Sequence, residues 1–150
     1  MKISFNKEEL NLLVKEFTHS KLNINITKLA NNVIHIKLAN ITILITPSIG
    51  GGKGQIIYFE VKLNNSVLQL GSFIAGLGGN SVIDYLAKNS DGLLEKKSRS
   101  KLSLNLLKIT HRYNLDTTFK LNEISASKDN LQLDIKITNT SQNILAKNKV

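Results

Sequence analysis

Two stretches of this chain follow one plan, and that doubling limits what it can fold into more than any other feature. Leu10-Asn11-Leu12-Leu13 opens a helix-like segment, and two strand-like runs follow that meet at Asn31-Asn32. Leu104-Asn105-Leu106-Leu107 opens a second such segment, whose two runs meet at Asp129-Asn130. Helix-plus-hairpin units of this kind predict antiparallel sheets packed on helices.

The first unit is the clearer one. Asn6 followed by Glu9 reads as a capping-box variant, and Leu10, Leu13, Val14 and Phe17 fall on one helical face, which predicts a helix over 7–18. The period then changes to two. Leu22, Ile24 and Ile26 alternate with polar residues, as do Ile34, Ile36 and Leu38, then Ile41, Ile43 and Ile45, with Pro47 expected to end the third strand. Ile57, Phe59, Val61 and Leu63 give the most regular strand, reached through Gly50-Gly51-Gly52-Lys53-Gly54 and turned at Asn64-Asn65 into a short run, Val67 to Leu70.

The middle is less regular. Phe73 to Gly79 is small and apolar, and Ser81 with Asp84 marks a helix start, with Val82, Ile83, Leu86 and Ala87 as its buried stripe. Asp91-Gly92 interrupts that helix, and Leu93-Leu94 is expected to resume it. From Lys101 to Ile109 both periods fit. Phe119 and Leu121 begin a further strand, and Leu131, Leu133, Ile135 and Ile137 finish the sheet. The expectation is an α+β fold: a curled antiparallel β-sheet of about six strands packed on an N-terminal and a central helix. It forms one domain over 1–140, with a polar tail over 141–150.

Composition sets limits on partners and chemistry. A formal charge of +9 and a pI near 9.8 favour phosphate-bearing partners. The cations are nearly all Lys, with Arg only at 99 and 112, which disfavours sequence-specific base reading. Tyr58, Tyr85 and Tyr113 are too few and scattered to stack bases, so nucleic acid is disfavoured as a partner. With no Cys there is no disulfide, thiolate metal site or cysteine nucleophile. No segment approaches the ~20 apolar residues that span a bilayer, and Met1 to Phe17 lacks a secretory apolar core. A cytoplasmic protein, or one peripheral to a membrane, is the expected location.

No catalytic constellation emerges. Gly50–Gly54 has Pro47 where a phosphate-binding loop needs its first Gly, and Gly54 where it needs Ser or Thr. Gly76-Leu77-Gly78-Gly79-Asn80-Ser81 misses the last Gly of a dinucleotide fingerprint. His19, His35 and His111 lie far apart without ligand spacing, and His35 is expected on a solvated strand face. Glu60 and Asp134 could face each other across strands as half of an acid-base pair, although pairing with Lys62 and Lys136 is the commoner role. The chain reads as a non-enzyme without cofactor or metal.

About six strands each offering two to four aliphatic side chains, each contributing roughly 1.5–3 kcal/mol on burial, exceed what two amphipathic helices can cover. The surplus suggests an apolar groove for a lipid or other hydrophobic ligand, lined by Leu13, Phe17, Phe59, Val61, Phe73, Leu86, Leu133 and Ile135. The basic run Lys96, Lys97, Arg99 and Lys101 would sit at anionic headgroups or a membrane surface. The alternative is a structural or protein-protein interaction domain that oligomerises, or meets another protein, through an apolar sheet face or strand edge.

The helix from Glu8 to Phe17, the one-sided strands, and the closing Ile124 to Ile137 resemble the tubular lipid-binding (TULIP-like) superfamily. In that closing segment a strand turns at Lys128-Asp129-Asn130 and returns as Leu-x-Leu-x-Ile-x-Ile, similar to small bacterial members of the group. The resemblance implies a curved sheet around a long helix, an aliphatic interior that holds acyl chains, and no catalytic residues. This chain departs from the pattern in its shortness and in the break at Asp91-Gly92.

Overall fold

A computed structural model describes residues 1–50, 55–63 and 81–139 of the chain. The order is β1 (Lys2–Asn6), α1 (Lys7–Phe17), β2 (Asn25–Ala30), β3 (Val33–Leu38), β4 (Ile41–Gly50), β5 (Ile56–Leu63), α2 (Val82–Lys88), β6 (Leu94–Lys96), β7 (Lys101–Asn105), α3 (Leu106–Arg112), β8 (Thr117–Ser127) and β9 (Asn130–Asn139). The fold is α+β, with a large antiparallel sheet in the order β2-β3-β4-β5-β7-β6 and a small one in the order β1-β9-β8.

Strict alternation decides which face of each strand is buried. Ile34, Ile36 and Leu38 of β3 and Ile41, Ile43 and Ile45 of β4 point inward, where they meet Leu10 of α1 and Val82, Ile83 and Leu86 of α2. Leu29, Ile41 and Ile43 are completely buried. A second cluster gathers Ile57 with Leu121 and Ile135 of the small sheet, and Phe59 packs against both clusters. Part of the surplus aliphatic surface expected from the sequence is thus covered by a second sheet.

That second sheet arises from the duplication. β1-α1-β2-β3 and β7-α3-β8-β9 are two copies of one strand-helix-hairpin unit, opening on Lys2-Ile3-Ser4-Phe5-Asn6 and on Lys101-Leu102-Ser103-Leu104-Asn105. The Asn that ends each strand caps the helix that follows: Asn6 Oδ1 accepts the Glu9 N–H at 2.9 Å, and Asn105 Oδ1 accepts the Leu107 N–H at 3.0 Å. Both helices also end alike, in paired bonds of Schellman type. Ser20 N–H reaches Lys15 O at 2.8 Å and His19 N–H reaches Glu16 O at 3.3 Å; Leu115 N–H reaches Thr110 O at 3.0 Å and Asn114 N–H reaches His111 O at 3.3 Å.

The hairpins correspond as well. Asn31 and Asn32 turn the first, Lys128 and Asp129 the second, all four at positive φ, as a two-residue type I′ turn requires. The two tips hold each other reciprocally. Asn32 N–H donates to Ala126 O at 2.7 Å while Asn32 Oδ1 accepts Ala126 N–H at 3.2 Å; Asp129 N–H donates to Leu29 O at 2.8 Å while Asp129 Oδ1 accepts Leu29 N–H at 3.2 Å. The opening strands are exchanged: β1 pairs with the second unit's hairpin, and β7 joins the sheet that contains the first unit's hairpin.

Several elements differ from the sequence expectation for local reasons. β1 was masked by the helical period that begins at Lys7 and is too short to show a pattern alone. β4 does not end at Pro47 but continues to Gly50, because β3 pairs with it only as far as Ile45, so Pro47 needs a partner strand on one side alone. Leu94 lies in a strand, not a resumed helix, since Asp91 and Gly92 both take positive φ and redirect the chain. Over Lys101 to Ile109 both periods are realised in succession, β7 and then α3. The second hairpin turns one residue earlier than Asp129-Asn130, at Lys128-Asp129. Gly51–Gly54, Asn64-Asn65, Val67–Leu70, Phe73–Gly79 with the Gly76–Asn80 glycines, and the tail over 141–150 lie outside the described residues.

Candidate functional site

The side of the large sheet opposite its aliphatic face carries polar residues, many of them exposed. Register places Lys28 of β2, His35 of β3, Leu44 of β4 and Lys62 of β5 in one row across four strands. The neighbouring row holds Asn25, Lys37 and Thr42, and the row on the other side holds Thr46, Glu60 and Lys101. Lys28, Lys37 and Lys62 are exposed. The alternation that buries isoleucines on one side puts lysines on the other.

One end of this face is fixed by a close stack. A Cβ on Gly50 would fall 1.7 Å from Tyr58 Cε2, so the Tyr58 ring lies where any other residue's side chain would begin. Lys101 Nζ stands 5.3 Å from the centroid of the same ring, within cation–π range. Two acids stand on this face: Glu60 accepts the Ser100 hydroxyl at 2.8 Å and lies 4.0 Å from Lys101 Nζ, and Glu95, in the row of Tyr58 and Ser103, pairs with Lys97 at 3.2 Å.

The small sheet's outer face is chemically different. Lys2, Asp134 and Glu123 share a row, as do Ser4, Gln132 and Ser125, and these rows line a shallow depression of about 230 Å³. That volume is below the roughly 300–1,000 Å³ of small-molecule sites, and its charges are mixed.

The expected groove residues that the structure describes are divided between clusters. Leu13, Val61 and Leu86 belong to the first core cluster, Leu133 and Ile135 to the second, and Phe59 bridges the two. Phe17 instead meets the Tyr113 ring edge-on, centroids 5.8 Å apart, and Phe73 lies outside the described residues. In the basic run, Lys96 pairs with Asp84 at 3.0 Å, Lys97 with Glu95 at 3.2 Å, and Arg99 is exposed in the bend between β6 and β7. Glu60 and Asp134 stand on different sheets, and their ionic neighbours are Lys101 and the N-terminal amine rather than Lys62 and Lys136.

Asp91 was foreseen only as a helix break, yet it joins three chain segments. Lys21 donates to its carboxylate at 2.5 Å, His19 Nδ1 contacts the other oxygen, and Arg112 Nη2 donates to its carbonyl at 2.6 Å. Arg112 Nη1 also donates to Phe17 O at 2.5 Å. The Lys21 hydrogen bond first, and then that of His19, holds the Asp91 carboxyl down to about 2. This cluster ties the ends of α1 and α3 to the turn after α2. Among the described residues no group of three His, Asp or Glu side chains could hold a metal ion.

The edge of the large sheet at β2 is closed by side chains. Asn11 of α1 accepts the Ile26 N–H at 2.8 Å and donates to Ile26 O at 3.2 Å, imitating a neighbouring strand, and the Asp129 bonds do the same at Leu29. Strand addition is therefore blocked at this edge. Among the described residues, exposed aliphatics stand at Leu12, Leu115 and Ile137. No helix of the described residues is long and apolar enough to cross a membrane. In comparisons with known proteins, no family model matches the chain, and neither a curated protein nor a solved structure matches it.

Proposed function

We propose that this protein is a non-enzymatic binding module that meets a polyanionic partner on the open face of its large sheet. The hydrophobic ligand expected inside is the weaker reading. The observation that carries the proposal is that, among the described residues, three adjacent register rows hold four lysines, Lys28, Lys37, Lys62 and Lys101, against one acid, Glu60. Such a face raises the local concentration of anions without requiring a pocket. The distribution of the groove residues between two packed clusters speaks against a shared acyl-chain cavity.

Two measurements test this. The protein is expected to be retained on immobilised heparin and released by salt, and native mass spectrometry of the purified chain is expected to show no stoichiometric lipid. Flow-through on heparin at low salt, or one lipid per chain, would reject the proposal.

A further inference from the structure

Resting on that reading of the open face, we infer that its partner is an anionic lipid bilayer surface, held by charge at the headgroup level without insertion. The first support is the kind of cation. Among the described residues, the four basic residues with permanent charge on the face are lysines, whose ammonium groups act as solvated point charges suited to a diffuse, mobile array of headgroups. The two arginines, which would grip individual phosphates in a forked geometry, are elsewhere: Arg99 in the bend after β6, and Arg112 engaged with the carbonyls of Phe17 and Asp91.

The second support is the spread of charge. Lys28 and Lys62 stand at opposite ends of one four-strand row, about 14 Å apart at ordinary strand spacing. Lys37 lies one row to one side and Lys101 one row to the other, on a further strand. Charge distributed in two dimensions suits a planar surface better than a single phosphate track.

The third support concerns what the face lacks for other partners. Its aromatic side chain, Tyr58, is held over Gly50 and faces Lys101, so it is not free to stack on a base. Its large aliphatics among the described residues, Leu44 between His35 and Lys62 and Ile56 between Gly50 and Asn105, are both half-buried, so neither stands out as a wedge to enter the acyl region. Binding is accordingly peripheral and reversible by salt.

The experiment is co-sedimentation with vesicles of phosphatidylcholine alone and of phosphatidylcholine with phosphatidylserine, alongside heparin and duplex DNA. The wild-type chain is compared with Lys28→Ala/Lys37→Ala/Lys62→Ala and with a control, Lys120→Ala/Lys136→Ala, from the small sheet. The serine-containing vesicles are expected to sediment the wild type and the control. The triple variant should bind them on the order of a hundredfold more weakly, since each lysine near the surface contributes about fivefold, and high salt should release all three. Binding of heparin or DNA without binding of serine-containing vesicles overturns the lipid inference and leaves the reading of the face intact. Binding of none of these polyanions, or equal loss in control and triple variant, overturns both.

Discussion

The two strand-helix-hairpin units share caps, helix ends and turns, but they differ in how much each carries alone. In the first, α1 has eleven residues, a reciprocated capping box with Glu9, and Asn11 closing a strand edge. In the second, α3 has seven residues and no acid in its first turn, and its one buried position is the polar Thr110 where that of α1 is Leu10. Short isolated helices are marginal in water, so α3 depends on its surroundings more than α1 does. What stayed alike in both units is the backbone geometry that the exchange of strands needs: a cap directly after a strand, and a tight hairpin whose tip reaches the other unit.

The strongest way to break this correspondence is at the hairpin tips. Asn32→Gly and Asp129→Gly keep the positive φ of each turn but remove the side-chain acceptor, leaving the Ala126 and Leu29 N–H groups unpaired beside completely buried side chains. Each is expected to cost about 1–3 kcal/mol in urea unfolding. Similar losses from both would establish the clasp as symmetric in energy as well as geometry. A loss at one tip only would show that one unit carries the contact.

The helix caps give a smaller and graded contrast. Asn6→Ala and Asn105→Ala are each expected to cost about 0.5–2 kcal/mol. Asn6 should lie at the upper end, because Glu9 Oε1 also accepts the Asn6 N–H at 3.0 Å and Asn105 has no such return bond from an acid. The same denaturation series measures both.

The pH response sharpens the comparison at the joint between the units. The Asp91 carboxyl is held at about 2 in the folded chain, below the ordinary carboxylate value near 3.8. The unfolded chain therefore takes up this proton first as pH falls. The stabilising contribution is complete above about 3.8 and is lost between there and about 2. Asp84, lowered by the Ser81 hydroxyl and then by Lys96, acts in the same direction. Asp91→Asn is expected to flatten part of the acid dependence of stability, measured by chemical denaturation at a series of pH values, and an unchanged slope would remove Asp91 from the account.

How much of this was legible follows from the range over which each signal acts. The alternation in Ile34 to Leu38 and Ile57 to Leu63, and the Asn6 and Ser81 caps, are local patterns, and those elements stand where the sequence puts them. The two helix-hairpin units were legible for the same reason. Strand exchange was not, because the choice of partner for β1 depends on a hairpin more than 120 residues away, and five residues carry no mark of it. Leu13, Phe59, Val61, Leu86, Leu133 and Ile135 lie in apolar clusters, but alternation cannot say whether a face meets a ligand or another sheet. The lysine face was visible in the sequence only as scattered polar positions, and register alone brings Lys28, Lys37, Lys62 and Lys101 together.

The exchange has a consequence for biosynthesis. The amine and carbonyl of Met1 bond to Ile135, so β1 finds its permanent neighbour only after the ribosome has moved on by more than 120 residues. At cellular translation rates that is a wait on the order of ten seconds. During it, Ile3 and Phe5 remain without the strand that will shelter them. Synthesis thus delivers β1 well before the hairpin that completes its sheet.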